Sequence, residues 1–376
     1  MTLEERKNLI TQYTEEILGT DQEIQALLES GEKLNHYIGF EISGKIHLGS
    51  GLISMQVAKN LADAGIKPHV FLADWHAWIN DKLGGDRDFI RKIAVNYFKE
   101  GMTVCYKLAG GNPNDLNFIL GSDLYEKNPE YWANMIDVSK NTTLSRIQRS
   151  ITIMGRDQGG SVDFAKLIYP PMQVADLFQM NIHFPHAGMD QRKAHVIARD
   201  IALKLKIKPL KIQGKIIKPV AIHHHLLLGL SKPSIWPLEN QEDARLVVSQ
   251  MKMSKSKPDS AVFIHDSADQ VRRKILKAFA PEGEVGFNPI LDWTKHLIFT
   301  RESEILIKRE KQHGGDLRIK SYNDLEKLYA EKKIYPLDLK NFIADYLIEF
   351  LKPIREHFSS GKAKDMLEEL EGKIGK

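Results

Sequence analysis

Apolar positions follow two rhythms along this chain. In the first half, short apolar runs alternate with stretches in which apolar residues recur every three to four positions. Tyr37-Ile38-Gly39-Phe40-Glu41 and His69-Val70-Phe71-Leu72-Ala73-Asp74 are runs of the first kind and predict strands, as do 116–120, 182–184 and 220–223. The spacing predicts a helix over about 48–64 between the first two strands. Strand, helix, strand in this order predicts a Rossmann-like parallel sheet with helices on both faces, whose ligands sit beyond the carboxyl ends of the strands. Glu41, Asp74 and the 43–50 turn then fall on the rim of one crevice. After about Phe263 strand signals become rare, and helical patterns cover 268–280, 338–350 and 363–371. The expected fold class is α/β: a Rossmann-like parallel-sheet domain over 1–262, then a smaller, mainly helical domain over 263–376. Thr2 and Glu5 read as a capping box opening an N-terminal helix, and 231–237 as a loop.

Composition narrows the picture without changing it. The 376 residues are enough for two domains; 42% are hydrophobic and 27% charged, as in ordinary globular proteins. The net charge of +4 is compatible with an anionic partner but does not require one. A single cysteine, Cys105, excludes an intramolecular disulfide and a cysteine metal cluster. No apolar run approaches membrane-spanning length and no signal segment opens the chain, so a cytoplasmic protein with no membrane partner is expected.

Three segments carry candidate chemistry. Ser43-Gly44-Lys45-Ile46-His47-Leu48-Gly49-Ser50 follows a strand and opens a helix. Its backbone N–H groups and positive helix end face the crevice, Gly44 and Gly49 let a nucleotide approach, and His47 can donate to a phosphate. A tight turn with a surface histidine is the alternative. Lys252-Met253-Ser254-Lys255-Ser256 places two lysines on a loop that can close over a departing pyrophosphate; a solvated basic loop is its alternative. Tyr169, Gln173 and Asp176 stand at i, i+4 and i+7, on one face of a helix if Pro170-Pro171 open it. Their apolar neighbours imply burial, so the three polar groups need partners: an ammonium or hydroxyl of a ligand, or one another. His223, His224 and His225 are consecutive, and His183, His186 and His195 lack ligand spacing, so no metal site is expected.

Taken together, these segments resemble the tyrosyl-tRNA synthetases of the archaeal/eukaryotic type, a class I aminoacyl-tRNA synthetase family. The likeness covers most of the chain and rests on the ordered series 37–49, Ala73-Asp74-Trp75-His76-Ala77, 168–176, Gly188-Met189-Asp190-Gln191-Arg192-Lys193, the lysine motif, His313-Gly314-Gly315-Asp316-Leu317 and Pro336-Leu337-Asp338-Leu339-Lys340. The resemblance implies that Tyr37 and Asp176 grip a substrate phenol, while Tyr169, Gln173 and Gln191 hold its α-amino end. A carboxylate left without a hydroxyl partner penalises phenylalanine, a discrimination for which this enzyme family is the usual illustration. It further implies that Gly39, Gly44, His47, Gly49 and Lys255 bind ATP, and that His47, Lys252 and Lys255 with Mg2+ stabilise the charge that develops as a carboxylate attacks the α-phosphorus. Arg149 and Arg192 are implied at the acceptor stem of tRNA(Tyr), and His313 and Asp338 at its anticodon, in a homodimer. The family's turn usually ends in a second histidine, where this chain has Ser50.

Overall fold

The computed structural model describes residues 1–151, 163–237, 251, 253 and 258–374. Among them ten strands occur in chain order: β1 (Thr14–Leu18), β2 (Asn35–Glu41), β3 (Lys67–Ala73), β4 (Asn117–Leu120), β5 (Phe184–Gly188), β6 (Lys211–Ile212), β7 (Lys215–Ile216), β8 (Ala221–His224), β9 (Ile305–Ile307) and β10 (Leu317–Ile319). Six form one sheet in the order β1-β8-β5-β2-β3-β4. From β8 to β4 every pairing is parallel, with Ile38 of β2 opposite both Val70 of β3 and His186 of β5. In β3 every residue after Lys67 is buried, which is why it reads as a continuous apolar run. The expected all-parallel sheet needs one correction. Strand β1 lies antiparallel on β8 at the edge, and its Thr14-Glu15-Glu16 start is too polar to stand out as a strand.

Local chemistry explains several boundaries. Thr2 and Glu5 do form a capping box on the helix Leu3–Thr11, and Thr20 with Glu23 repeats it on Asp21–Glu29. The helix after β2 starts as a π-helical turn, Gly49–Ile53, and continues as Ser54–Asp63. Asp74 opens the helix Asp74–Ile79 rather than ending β3. Strand β5 begins at Phe184, so the run predicted over 182–184 starts two residues early and ends four short. Pro170 and Pro171 do not open their helix. It spans Phe164–Gln179 and starts where the Asp163 side chain accepts from the Lys166 N–H, with both prolines inside. The cap fixes the start, and the prolines forgo two backbone donors within the helix.

The chain forms two compact units that interleave along the sequence: Met1–Gly44, Ser54–His225 and Asp365–Lys376 in the first, Lys45–Ile53 and Leu226–Lys364 in the second. In the first, alternate strand residues feed two cores. Tyr37, Phe71 and Ala73 pack with Met172, Val174 and Phe178. Phe184, Val220 and Ile222 pack with Ile10, Leu27 and Leu61. Buried histidines bond to one another: His36 to His186 at 3.1 Å and His186 to His224 at 2.6 Å within the sheet, and His195, on the helix Arg192–Ile201, to His223 of β8 at 3.0 Å. Consecutive His223 and His224 thus use opposite faces of β8.

The second unit is mainly helical, with Ala268–Lys277 packed on Pro336–Phe350, and it also contains the hairpin β9–β10. Of the three helical patterns read after Phe263, Ala268–Lys277 and Pro336–Phe350 fall in this unit, while Gly361–Ile374 belongs from Asp365 onward to the first.

Candidate active site

Asp176 is the centre of the first unit's polar core. It is fully buried on the helix Phe164–Gln179. Its Oδ1 accepts from the Tyr131 hydroxyl at 2.9 Å and its Oδ2 from the Tyr125 hydroxyl at 3.4 Å. The His76 Nε2 stands 3.7 Å from Oδ2, and the His76 Nδ1 lies 3.3 Å from the Tyr125 hydroxyl. Burial pushes the Asp176 carboxyl well above the usual range, while the two tyrosine hydrogen bonds pull the other way. Burial also holds His76 at about 3, so its ring is neutral at pH 7. Burial first, and then the Asp176 charge, push the Tyr37 and Tyr131 hydroxyls upward, so both remain protonated donors.

Tyr37 reaches this core from β2, and Gly39 makes room for it. A Cβ on Gly39 would lie 2.1 Å from the Tyr37 hydroxyl. The resemblance implies Gly39 at ATP; in the structure the space where its side chain would stand is filled by the phenol of Tyr37.

One turn along the Asp176 helix, the Gln173 side-chain N–H donates to the Gln191 Oε1 at 3.0 Å, and the Gln173 Oε1 is buried with no hydrogen-bond partner. The Tyr169 ring meets His76 edge-on at 4.5 Å. Burial, then the Glu41 carboxylate, then Tyr37, Asp190 and Asp176 all raise the Tyr169 hydroxyl. Glu41 closes β2 and is held by Asn80 at 2.8 Å and Lys82 at 3.4 Å. An unpaired amide oxygen, a phenol and two nearby carboxylates form an environment suited to an ammonium group. The structure therefore brings Tyr37, Tyr169, Gln173, Asp176 and Gln191 into one neighbourhood. His76, Tyr125 and Tyr131, which no sequence spacing singled out, complete it. Asp74 differs from its expected place on the rim: it is buried, and its Oδ1 accepts from the Trp75 and Ser122 backbone N–H groups.

The second unit carries the turn with His47. Leu48 donates to the Val262 carbonyl and Ile264 to the Ile46 carbonyl, both at 3.0 Å, so the turn is stitched to the segment that follows the lysine motif. Gly44, the last residue before it, takes φ 131°, a conformation that favours glycine. The Ser50 N–H donates to the His47 Nδ1 at 3.2 Å, and the Ser50 hydroxyl donates to the His47 carbonyl at 3.2 Å. Because Nδ1 accepts, the neutral ring carries its proton on Nε2, as a donor. Ser50 thus sets the tautomer of His47 through its backbone. A Cβ on Gly49 would stand 3.3 Å from the His47 ring. Lys252 and Lys255 lie outside the described residues.

The residues expected at tRNA are spread over both units. Arg192 is ion-paired to Glu16 at 2.6 Å, and neighbouring Lys193 donates to the Arg149 carbonyl at 3.0 Å, joining the two elements that carry the arginines. In the second unit His313 lies in the short turn Lys311–His313. Asp338 sits in the first turn of Pro336–Phe350, just after exposed Tyr335 and Leu337.

The family profile of "tRNA synthetases class I (W and Y)" matches residues 29–352. The chain belongs to this family. It is similar to a "Tyrosine--tRNA ligase" of Thermococcus sibiricus, 54% identical over 360 residues, which are 95% of this chain and 96% of that protein. A solved tyrosyl-tRNA synthetase from Pyrococcus horikoshii, complexed with L-tyrosine, superposes with a TM-score of 0.95 at 51% identity over 99% of this chain and all of that one. The tyrosyl-tRNA synthetase of Aeropyrum pernix gives 0.81 at 38% identity, covering 98% and 99%. This synthetase fold accounts for the mostly parallel sheet and for the mainly helical second unit. Among the described residues no helix is long and apolar enough to cross a membrane.

Proposed function

We infer that this chain is a tyrosine–tRNA ligase. The observation that carries the reading is Asp176: a carboxyl removed from water, surrounded by tyrosine hydroxyls and a neutral imidazole, with no lysine or arginine paired to it among the described residues. Such an acceptor favours a ligand hydroxyl and penalises a ring that lacks one. The relatives named for tyrosine support the same substrate.

In the first step a carboxylate oxygen of L-tyrosine attacks the α-phosphorus of ATP. The bond to the β-phosphate breaks, giving tyrosyl-adenylate and pyrophosphate. In the second, a hydroxyl of the 3′-terminal ribose of tRNA(Tyr) attacks the tyrosyl carbonyl and AMP leaves. The nucleophile of the first step is already ionised, so the protein's task is positioning and charge stabilisation. Tyr37 and Asp176 take the phenol; Tyr169, Gln173 and Gln191 take the ammonium. His47, donating from Nε2, meets ATP beside Gly44 and Gly49, and Lys252 and Lys255 meet the departing pyrophosphate. The donors of the 45–53 turn are an ammonium, an imidazole, a hydroxyl and backbone N–H groups, with no carboxylate, which suits a phosphate rather than a bare cation. Mg2+ would therefore arrive on the ATP phosphates and supply neutralising charge there.

Arg149 and Arg192 engage the acceptor stem, which for Arg192 means exchanging Glu16 for a phosphate or base. His313 and Asp338 engage the anticodon. The division into 1–262 for catalysis and 263–376 for anticodon binding is one of roles rather than of compact bodies. A homodimer is supported by Trp132 and Ile136, exposed one turn apart on Glu130–Lys140, and by exposed Leu144; sedimentation equilibrium tests it. A cytoplasmic location belongs to the same reading. Asp338→Ala should lower tRNA charging about 10-fold while sparing adenylate formation; unchanged charging removes it from anticodon reading.

The deciding experiment is pyrophosphate exchange into ATP without tRNA, with tyrosine, tryptophan or phenylalanine supplied separately. Exchange with tyrosine alone is expected. Dependence on tryptophan would assign the other substrate of the family, and no exchange would remove the activation step.

A further inference from the structure

The phenol site holds one polar atom that the reading above does not use. The His76 Nε2 is buried and has no hydrogen-bond partner, yet it stands 3.7 Å from the Asp176 Oδ2. That separation is too long for a hydrogen bond and well suited to an oxygen between the two. An atom about 2.8 Å from each closes an ordinary triangle. The other end of the ring is engaged, with Nδ1 3.3 Å from the Tyr125 hydroxyl, and the Asp176 Oδ1 is already occupied by Tyr131. The Asp176 Oδ2, whose contact with Tyr125 is long at 3.4 Å, and the His76 Nε2 stand 3.7 Å apart.

We propose that His76 is a specificity-determining residue that donates from Nε2 to the oxygen of the substrate phenol while that phenol donates to the Asp176 Oδ2, and that Tyr125 is the positioning residue that holds His76 in this tautomer. The proposal rests on the tyrosine–tRNA ligase reading and adds a second contact to the same hydroxyl. Tyr125 has one proton. Given to the His76 Nδ1, it fixes the ring proton on Nε2, where the partner is missing. Given to Asp176 instead, as in the 3.4 Å contact to Oδ2, it would satisfy that oxygen but leave Nε2 a bare acceptor beside a carboxylate, its lone pair unpaired in a dry site. The ring is neutral near pH 7, so it has one proton to place. Only a neutral hydroxyl satisfies both faces at once, since it accepts from one and donates to the other. Phenylalanine would leave both unpaired, which is a larger penalty than a carboxylate alone provides.

Two measurements test this. In 15N spectra of the unliganded protein near pH 7, with the His76 signals identified by their loss in His76→Asn, the ring should be protonated on Nε2 and bare on Nδ1. The opposite tautomer overturns the proposal. In pyrophosphate exchange, the ratio of kcat/KM for tyrosine over phenylalanine should fall about 10-fold in His76→Asn. It should fall less in His76→Gln, whose amide N–H reaches the ε position, and also fall in Tyr125→Phe, which leaves His76 in place. If tyrosine and phenylalanine rates drop together and the ratio holds, His76 is structural and the proposal fails. If the unaltered protein shows no tyrosine exchange at all, the functional reading fails instead, and the tautomer measurement still judges His76 by itself.

Discussion

In the sheet unit, the groups that would meet a ligand are side chains withdrawn from water: Asp176, His76, Tyr37, Tyr125, Tyr131 and Gln173 are all buried or nearly so. In the second unit, the 45–53 turn works through its backbone. Peptide groups at 46, 48 and 50 hold it, and one of them sets the His47 tautomer. The difference matches the two halves of the proposed reaction. Reading a phenol requires a few donors and acceptors of fixed identity in a dry site, where a wrong partner is costly. Holding a polyphosphate requires many N–H groups and cations that can move with the charge, which backbone and lysines supply.

The comparison extends to acid. In the sheet unit, burial lowers His36, His76 and His224 to about 3, His69, His183 and His223 to about 4, and His186 and His195 well below their ordinary value. In the second unit the histidine shifted this way is His265, at about 3. A folded value below the unfolded value of about 6.5 means that the unfolded chain binds the proton first. The stabilising contribution is therefore complete above about pH 6.5 and is lost as pH falls through the folded values. Each such histidine adds a slope of about 1.4 kcal/mol per pH unit between those limits. Asp176 and Asp74, both shifted upward by burial, oppose this, as two carboxyls against eight imidazoles. Hydrogen exchange at pH 7 and pH 5 should show the sheet unit losing protection first and by far the most. Equal loss in both units would break the contrast.

Within the sheet unit, the largest local effect should come from Asp176→Asn, which keeps the shape and removes the charge. Tyrosine-dependent exchange should fall about 100-fold in kcat/KM, with the KM for ATP unchanged, because a buried hydrogen bond to a charged acceptor is lost. A defect in ATP alone would detach Asp176 from the phenol.

Gly39→Ala separates the two regions more sharply, because the resemblance implies that residue at ATP while the Tyr37 phenol fills the space beside it. Its neighbourhood in the ordered series placed it with ATP. Its new methyl would lie 2.1 Å from the Tyr37 hydroxyl, an overlap that must displace the phenol. The KM for tyrosine should rise about 10-fold, consistent with the cost of overpacking, while the KM for ATP stays. A rise for ATP alone would restore the nucleotide assignment.

Why such points escaped the sequence is physical. Tyr169, Gln173 and Asp176 were legible because one helix face carries all three, and helical spacing survives even though the prolines sit inside the helix rather than at its start. The partners of Asp176 were not legible. Tyr131 and Tyr125 approach it from 45 and 51 residues away, and no period links them. His76 stood within a recognised segment, but its unpaired Nε2 exists only because four elements close around it. Strand β1 was invisible because an edge strand whose second and third residues are glutamates has no apolar run. The order of the buried parallel strands was legible because burial on both faces writes itself as continuous apolar sequence.

The smallest effect tests the other side of the comparison. Gly49→Ala would bring a methyl to 3.3 Å from the Cε1 and Nδ1 of His47, a crowding that a small rotation of the ring can relieve. That rotation would strain the 3.2 Å bond by which the Ser50 N–H fixes the tautomer. The KM for ATP should therefore rise about two- to threefold, the scale of weakening one neutral hydrogen bond, and the KM for tyrosine should not move. Paired with Gly39→Ala this gives opposite signatures for the same chemical change, a methyl added to a glycine ten residues away. If both variants shift the same Michaelis constant, the phenol site and the nucleotide turn are not separately built, and the backbone account of the turn is wrong.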